Sequence, residues 1–176
     1  SMRSQIEAMR ALALYNAAAI DLSRALEGDE AEQWRETAEL LTPITKGWCT
    51  DVGVEITSTA VQVFGGMGFI EESGVAQHFR DMRIAPIYEG TNGIQALDLL
   101  GRKVLHDEGA KLRRFGKLVS DFVDEQSDRP EMREFTISLA ELGTQVGQLS
   151  VELALKALAN PDEIGAASVP YLRVVG

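Results

Sequence analysis

Apolar positions recur at three- and four-residue steps over most of the chain, the spacing that gathers them on one side of a helix. The first run extends from Gln5 to Leu26, where Ile6, Met9, Leu12 with Ala13, Tyr15 with Asn16, Ala19 with Ile20, Ser23 and Leu26 share a face. It predicts an amphipathic helix with a narrow, alanine-rich face suited to close packing, ended by Gly28-Asp29. A second stripe is formed by Trp34, Ala38, Leu41, Ile44 with Thr45, Trp48, Val52, Ile56, Thr59 with Ala60, and Val63. It predicts a helix from about Glu30 to Phe64, about 50 Å long at 1.5 Å per residue. Thr42-Pro43 and Gly47 mark where that helix is expected to kink or divide in two.

Gly65-Gly66-Met67-Gly68 then interrupts the pattern, and Glu71-Glu72-Ser73 offers caps for a short helix through Val75, Phe79, Met82 and Arg83. The glycines read either as a plain turn between helices or as a place where another group approaches the backbone. No strand precedes them and no Lys-Ser/Thr pair follows, so neither a dinucleotide fingerprint nor a phosphate loop fits. Pro86 tends to stop the arriving helix at Ala85, and Thr91 is a suitable N-cap for the run Ile94, Leu97, Leu100 and Val104, up to about Leu105. Between them lies Ile87-Tyr88-Glu89-Gly90-Thr91-Asn92-Gly93-Ile94-Gln95, which sets a carboxylate, two glycines and a hydroxyl within a few positions. On spacing alone, Glu89 is an acid complementing the positive end of a helix or a residue with chemistry to perform.

Two further helices follow. One spans Asp107 to Glu125 through Leu112, Phe115, Val119 and Phe122, and is broken by Asp128-Arg129-Pro130. The other spans Phe135 to Leu158 through Leu139, Leu142, Val146, Leu149, Leu153 and Leu155, and is stopped by Asn160-Pro161. No strand signal and no internal repeat interrupt this order. Long paired helices with short links predict an all-α fold, an up-and-down helical bundle over 3–106 followed by an appended helical extension over 107–176.

Composition narrows the function. The 176 residues are 45% hydrophobic, enough for a packed core rather than a disordered tail. A net charge of −10, with Lys and Arg interleaved among acids, excludes a nucleic-acid groove, which needs clustered cations. No run reaches the roughly 18 apolar residues of a membrane span. Cys49 is the single cysteine and reads as a small buried apolar residue without a disulfide partner. His78 and His106 lack a second ligand at metal spacing, so no metal site is expected. With no signal-peptide pattern, the expected location is the cytoplasm, or an organelle matrix after import. Ser1-Met2 reads as a remnant ahead of an internal start, and Leu172-Arg173-Val174-Val175-Gly176 is apolar with no stop signal. The chain is therefore expected to be a piece of a longer protein.

Three motifs taken together resemble the C-terminal helical domain of the acyl-CoA dehydrogenase family. They are Ala60-Val61-Gln62-Val63-Phe64-Gly65-Gly66-Met67-Gly68-Phe69, then Arg80-Asp81, then Ile87 to Gln95, in the family's order and spacing. The resemblance covers roughly Gln5 to Leu105. The wording from Glu89 to Lys103, followed by extra helices, is similar to the subgroup with a C-terminal extension that includes 3-methylmercaptopropionyl-CoA dehydrogenase.

What the resemblance implies is specific. Glu89 matches the family's catalytic base, which removes the α-proton of an acyl-CoA thioester while a hydride leaves the β-carbon for FAD, giving a trans-2-enoyl-CoA. A carboxylate of ordinary strength, about 4.3, is too weak for a carbon acid, so burial and acidification of the substrate must help. Gly90 would let the substrate lie against the backbone. Thr91, Asn92 and Gly93 would present a hydroxyl and N–H groups to the FAD pyrophosphate, while Gln62, Gly65 and Gly66 would meet the adenosine side of a flavin held mainly by a neighbouring subunit. The implied partners are an acyl-CoA substrate, an electron-transfer flavoprotein or similar acceptor, and further copies in a homodimer or homotetramer. The family's β-domain, which holds the flavin ring, is absent, so this piece alone is expected to be inactive. Two alternatives stay open: an acyl-CoA oxidase, which shares fold and base, and a helical interaction module without chemistry.

Overall fold

The structure, a computed structural model, describes residues 1–176 and contains helices and no strand. Eight helices follow in order: α1 (Met2–Ala25), α2 (Gly28–Phe64), α3 (Gly66–Phe69), α4 (Val75–Arg83), α5 (Asn92–Leu97), α6 (Ala110–Gln126), α7 (Arg133–Ala159) and α8 (Asp162–Val175). From Asp98 to Leu105 the run begun by α5 widens into a π-helix, a departure that the apolar spacing does not announce. The chain forms two compact units, Ser1–Ala96 together with Gly176, and Leu97–Val175. No helix is long and apolar enough to cross a membrane.

In the first unit α1 packs along α2. Met9, Leu12, Asn16, Ala19 and Ser23 turn inward as the spacing predicts, with Asn16 and Ala19 fully buried. Tyr15 meets Trp34 edge to face at 6.1 Å between centroids, and Asn16 Nδ2 donates to Thr42 Oγ1 at 3.4 Å. The second stripe also holds as far as Ile56. Beyond it Thr59 and Val63 are exposed, so the last two turns of α2 stand outside the unit's core.

Two expectations are corrected. Gly28-Asp29 opens α2 rather than merely ending α1, and α2 continues for 37 residues without dividing at Pro43 or Gly47. The reason is that α2 is buried on more than one side: Leu40, Pro43, Gly47 and Gly53 are buried in addition to the stripe. Packing around Pro43 and Gly47 outweighs their intrinsic tendency to break a helix, about 3 kcal/mol or more for proline and about 1 kcal/mol for glycine. Gly53 is where α4 crosses, and a Cβ there would come within 2.7 Å of Met82 Cε.

The core of the second unit is Leu99, Leu100, Val104, Leu153, Tyr171 and Leu172. Tyr171 on α8 reaches Ser150 Oγ on α7 at 2.8 Å, a buried pairing that satisfies both hydroxyls. Asp107 fastens the start of α6: Oδ1 accepts from the Gly109 N–H at 3.0 Å, and Oδ2 accepts from the N–H and Nζ of Lys111 at 3.2 and 3.1 Å. Burial pushes this carboxyl upward, but its bonds to Lys111 and Gly109 outweigh that and hold it below the usual carboxylate value. A depressed folded-state value means the stabilisation is present above the unfolded carboxylate range and is lost as pH falls through the folded one. Asp107→Ala should therefore cost about 1 kcal/mol near neutrality, the scale of a lost cap. Urea denaturation of parent and variant should give midpoints that converge as pH drops below about 4.

Candidate functional site

The loop from Ile84 to Thr91 joins α4 to α5 and is tied down along its length. The N–H groups of Ile87 and Tyr88 donate to the Ile84 carbonyl at 2.9 and 3.2 Å, and the Asn92 N–H closes the loop onto the Pro86 carbonyl at 3.1 Å. Ala85 is buried beneath it. Two consecutive residues are left-handed, Glu89 at φ 55° and Gly90 at φ 83°. Glycine adopts this region freely. Glu89 does not, and it persists there because the bonds on either side over-determine the backbone. Its side chain is exposed, and its carbonyl accepts a long bond of 3.5 Å from Gln95 Nε2.

Asn92 pins this loop to α2. Its Nδ2 lies 3.0 Å from the Gly47 carbonyl, 2.9 Å from Thr50 Oγ1 and 2.8 Å from Asp51 Oδ1, and its Oδ1 accepts from Lys46 Nζ at 3.0 Å. Lys46 Nζ also donates to the Ala85 carbonyl at 2.7 Å and sits 5.8 Å from the centroid of the Tyr88 ring, within reach of a cation–π attraction. Burial pulls the Lys46 ammonium below its usual value, while the carboxylates of Glu89 and Asp51 act in the opposite sense. Loop and helix thus share one polar cluster with each carboxamide atom engaged.

The residues singled out in the sequence fall into two groups. Glu89, Gly90, Thr91 and Gly93 lie together, exposed, on the loop and the first turn of α5, whereas Asn92 is half-buried with its amide N–H and carboxamide both turned inward. Gln62, Gly65 and Gly66 lie at the far end of α2, also exposed. Gln62 is eleven residues beyond Asp51, about 16 Å along the helix axis. Within the glycine turn the three positions have different needs. Gly65 has φ 60°, a Cβ on Gly68 would strike the Val61 carbonyl oxygen and lie 2.8 Å from Phe64 Cβ, and a Cβ on Gly66 would meet nothing within 4 Å.

Sequence reasoning left out Lys46, Thr50 and Asp51. One signal was available: Lys46 is the single Lys or Arg between Arg35 and Arg80, set amid apolar residues with Thr50 one turn on. Cys49, half-buried on the same helix, has its thiol pushed up by burial and so is a poor nucleophile at neutral pH. His78 is exposed on α4.

Residues 1–105 match the family described as acyl-CoA dehydrogenase, C-terminal domain. The chain belongs to the acyl-CoA dehydrogenase family. Among its relatives, 3-methylmercaptopropionyl-CoA dehydrogenase of Ruegeria pomeroyi is 42% identical over 99% of this chain and 30% of its own length. Broad-specificity linear acyl-CoA dehydrogenase FadE5 of Mycobacterium tuberculosis is 28% identical over all of this chain and 30% of its own. The chain therefore spans about 30% of the length of these acyl-CoA dehydrogenases. Caenorhabditis elegans ACDH-11, solved in complex with C11-CoA, superposes on 93% of the chain and 27% of its own with a TM-score of 0.81. At 23% identity that likeness concerns the acyl-CoA dehydrogenase fold alone.

Proposed function

We propose that this chain is the base-bearing helical part of an FAD-dependent acyl-CoA dehydrogenase, which oxidises an acyl-CoA thioester to its trans-2-enoyl-CoA. The observation that carries the reading is Glu89: an exposed carboxylate on a left-handed backbone, held by a bonded loop inside the family-matched region. A general base must reach its substrate and be kept still. Glu89 is exposed on a bonded loop, so the burial that would strengthen it has to come with bound substrate in the full-length protein. Glu89 takes the α-proton onto its carboxylate oxygen. Its own N–H, beside Gly90, would donate to the thioester oxygen and so acidify that carbon. FAD, when bound, supplies the acceptor for the hydride that leaves the β-carbon.

The residues present fit such a flavin. Gly66 has empty space where a side chain would stand, Gln62 and Gly65 flank it in the open, and Thr91 and Gly93 are open at the other site. Two separated contact sets suit an extended dinucleotide. Asn92, with both its amide groups already engaged, supports the loop rather than touching the cofactor. The exposed Val63, Phe64, Met67 and Phe69 beside the glycine turn suit burial against another copy in a homo-oligomer. On this reading 3–106 forms the catalytic bundle and 107–176 an extension of it, in a cytoplasmic protein whose electron-accepting partner would be an electron-transfer flavoprotein or similar acceptor.

The test compares this chain with the full-length protein. The full-length protein should purify with stoichiometric flavin and reduce an artificial electron acceptor when given an acyl-CoA. The 176-residue chain should do neither. A full-length protein that holds no flavin and reduces no acceptor would favour the interaction-module reading instead.

A further inference from the structure

Lys46 is a half-buried cation whose contacts bracket Glu89 along the chain. Its Nζ bonds the Ala85 carbonyl at 2.7 Å, four residues before Glu89, and Asn92 Oδ1 at 3.0 Å, three residues after it. The ring of Tyr88, the residue next to Glu89, lies 5.8 Å from the same ammonium. One group therefore touches the loop on both sides of its strained residue and anchors it to the middle of the longest helix. The remaining bonds of the cluster run from Asn92 to α2, so Lys46 alone in it reaches the Ala85 side of the loop.

We propose that Lys46 is a positioning residue for the base: its two directed hydrogen bonds hold the Ala85–Asn92 loop in the one arrangement that presents the Glu89 carboxylate to the α-carbon of a bound thioester. The proposal rests on reading Glu89 as that base. Apolar packing of Ala85 against its surroundings would keep the loop near α2 without Lys46, but packing has no direction, whereas hydrogen bonds of this length constrain angle as well as distance. A left-handed glutamate is at ease elsewhere in φ, so loosening one side of the loop lets Glu89 drift. A displacement of about 1 Å at a reacting group can cost on the order of 100-fold in rate.

The experiment uses the full-length flavoprotein and four variants: Lys46→Met, Lys46→Arg, Glu89→Gln and the double variant Lys46→Met with Glu89→Gln. Lys46→Met keeps the stem and removes the donors, and should lower kcat roughly 10- to 100-fold, with KM for the acyl-CoA and flavin content unchanged. Lys46→Arg, still able to donate to both oxygens, should recover part of the loss. Because Lys46 acts through Glu89, adding Lys46→Met to Glu89→Gln should leave the residual rate where Glu89→Gln put it. The proposal is overturned if Lys46→Met retains kcat within about twofold, if its loss is as large in the Glu89→Gln background, or if it acts through KM or flavin content. Should Lys46→Met fail to fold, Lys46→Leu, which likewise has no donor, is judged by the same three criteria. Parental activity in Glu89→Gln would instead overturn the base assignment, and this proposal with it, which keeps the two failures distinct.

Discussion

Glu89→Gln in the full-length protein should lower acyl-CoA oxidation by roughly 10²- to 10⁴-fold, the range spanned by a positioned general base. Glutamine matches glutamate in size, and the ties that hold the loop belong to Lys46, Asn92, Pro86 and Ile84 rather than to the Glu89 carboxylate. The variant should therefore fold, melt and bind flavin as the parent does. Only the capacity to accept a proton is removed. Exchange of the thioester α-hydrogens with deuterated solvent, followed by NMR, isolates that step from electron transfer. Exchange at the parental rate would place the base elsewhere. Glu89→Asp offers a graded companion, because aspartate tolerates the left-handed backbone better but falls one methylene short. An intermediate loss is expected.

Gly68→Ala should be the most destabilising of the three alanine substitutions in the glycine turn. The added methyl would strike the Val61 carbonyl oxygen and sit 2.8 Å from Phe64 Cβ. The first obstacle is backbone and cannot rotate aside, so the end of α2 or α3 must move. A cost of roughly 1–3 kcal/mol, the range for overpacking, should lower the melting temperature by about 2–12 °C. Gly66→Ala should by contrast change stability by less than about 0.5 kcal/mol, since its Cβ meets nothing within 4 Å. In the full-length protein Gly66→Ala should nevertheless weaken flavin binding, because the space it fills is where the proposed cofactor lies. Calorimetry with flavin titration separates the two. Equal melting temperatures for Gly66→Ala and Gly68→Ala would show that the turn relaxes more readily than its geometry indicates.

The apolar stripes of α1 and α2 were legible because a 3.6-residue period leaves a direct mark on the sequence, and Met9, Asn16, Ala38, Ile44 and Ile56 turn inward as that period requires. The break at Asn160-Pro161 was legible because proline removes a donor wherever it stands. Pro43 misled for the complementary reason: local propensity favours a break there, and burial on a second side of α2 outweighs it. A stripe records one face. It does not record how many neighbours a long helix has.

The sequence by itself determined that the chain is helical throughout, that Glu89 stands with small residues between two helices, and that the glycine turn precedes it at family spacing. These are local facts, set by residue type and spacing along one strand of chain. Only the tertiary structure decided that Glu89 is left-handed, that Gly68 is required by the chain itself while Gly66 faces open space, and that Lys46 and Asn92 bind the loop to α2. Lys46 and Asn92 are 46 positions apart, and their bond of 3.0 Å exists because α2 and α4 fold back on one another. No periodicity encodes such a meeting, since the directed bonds that aim a side chain arise between elements rather than within them.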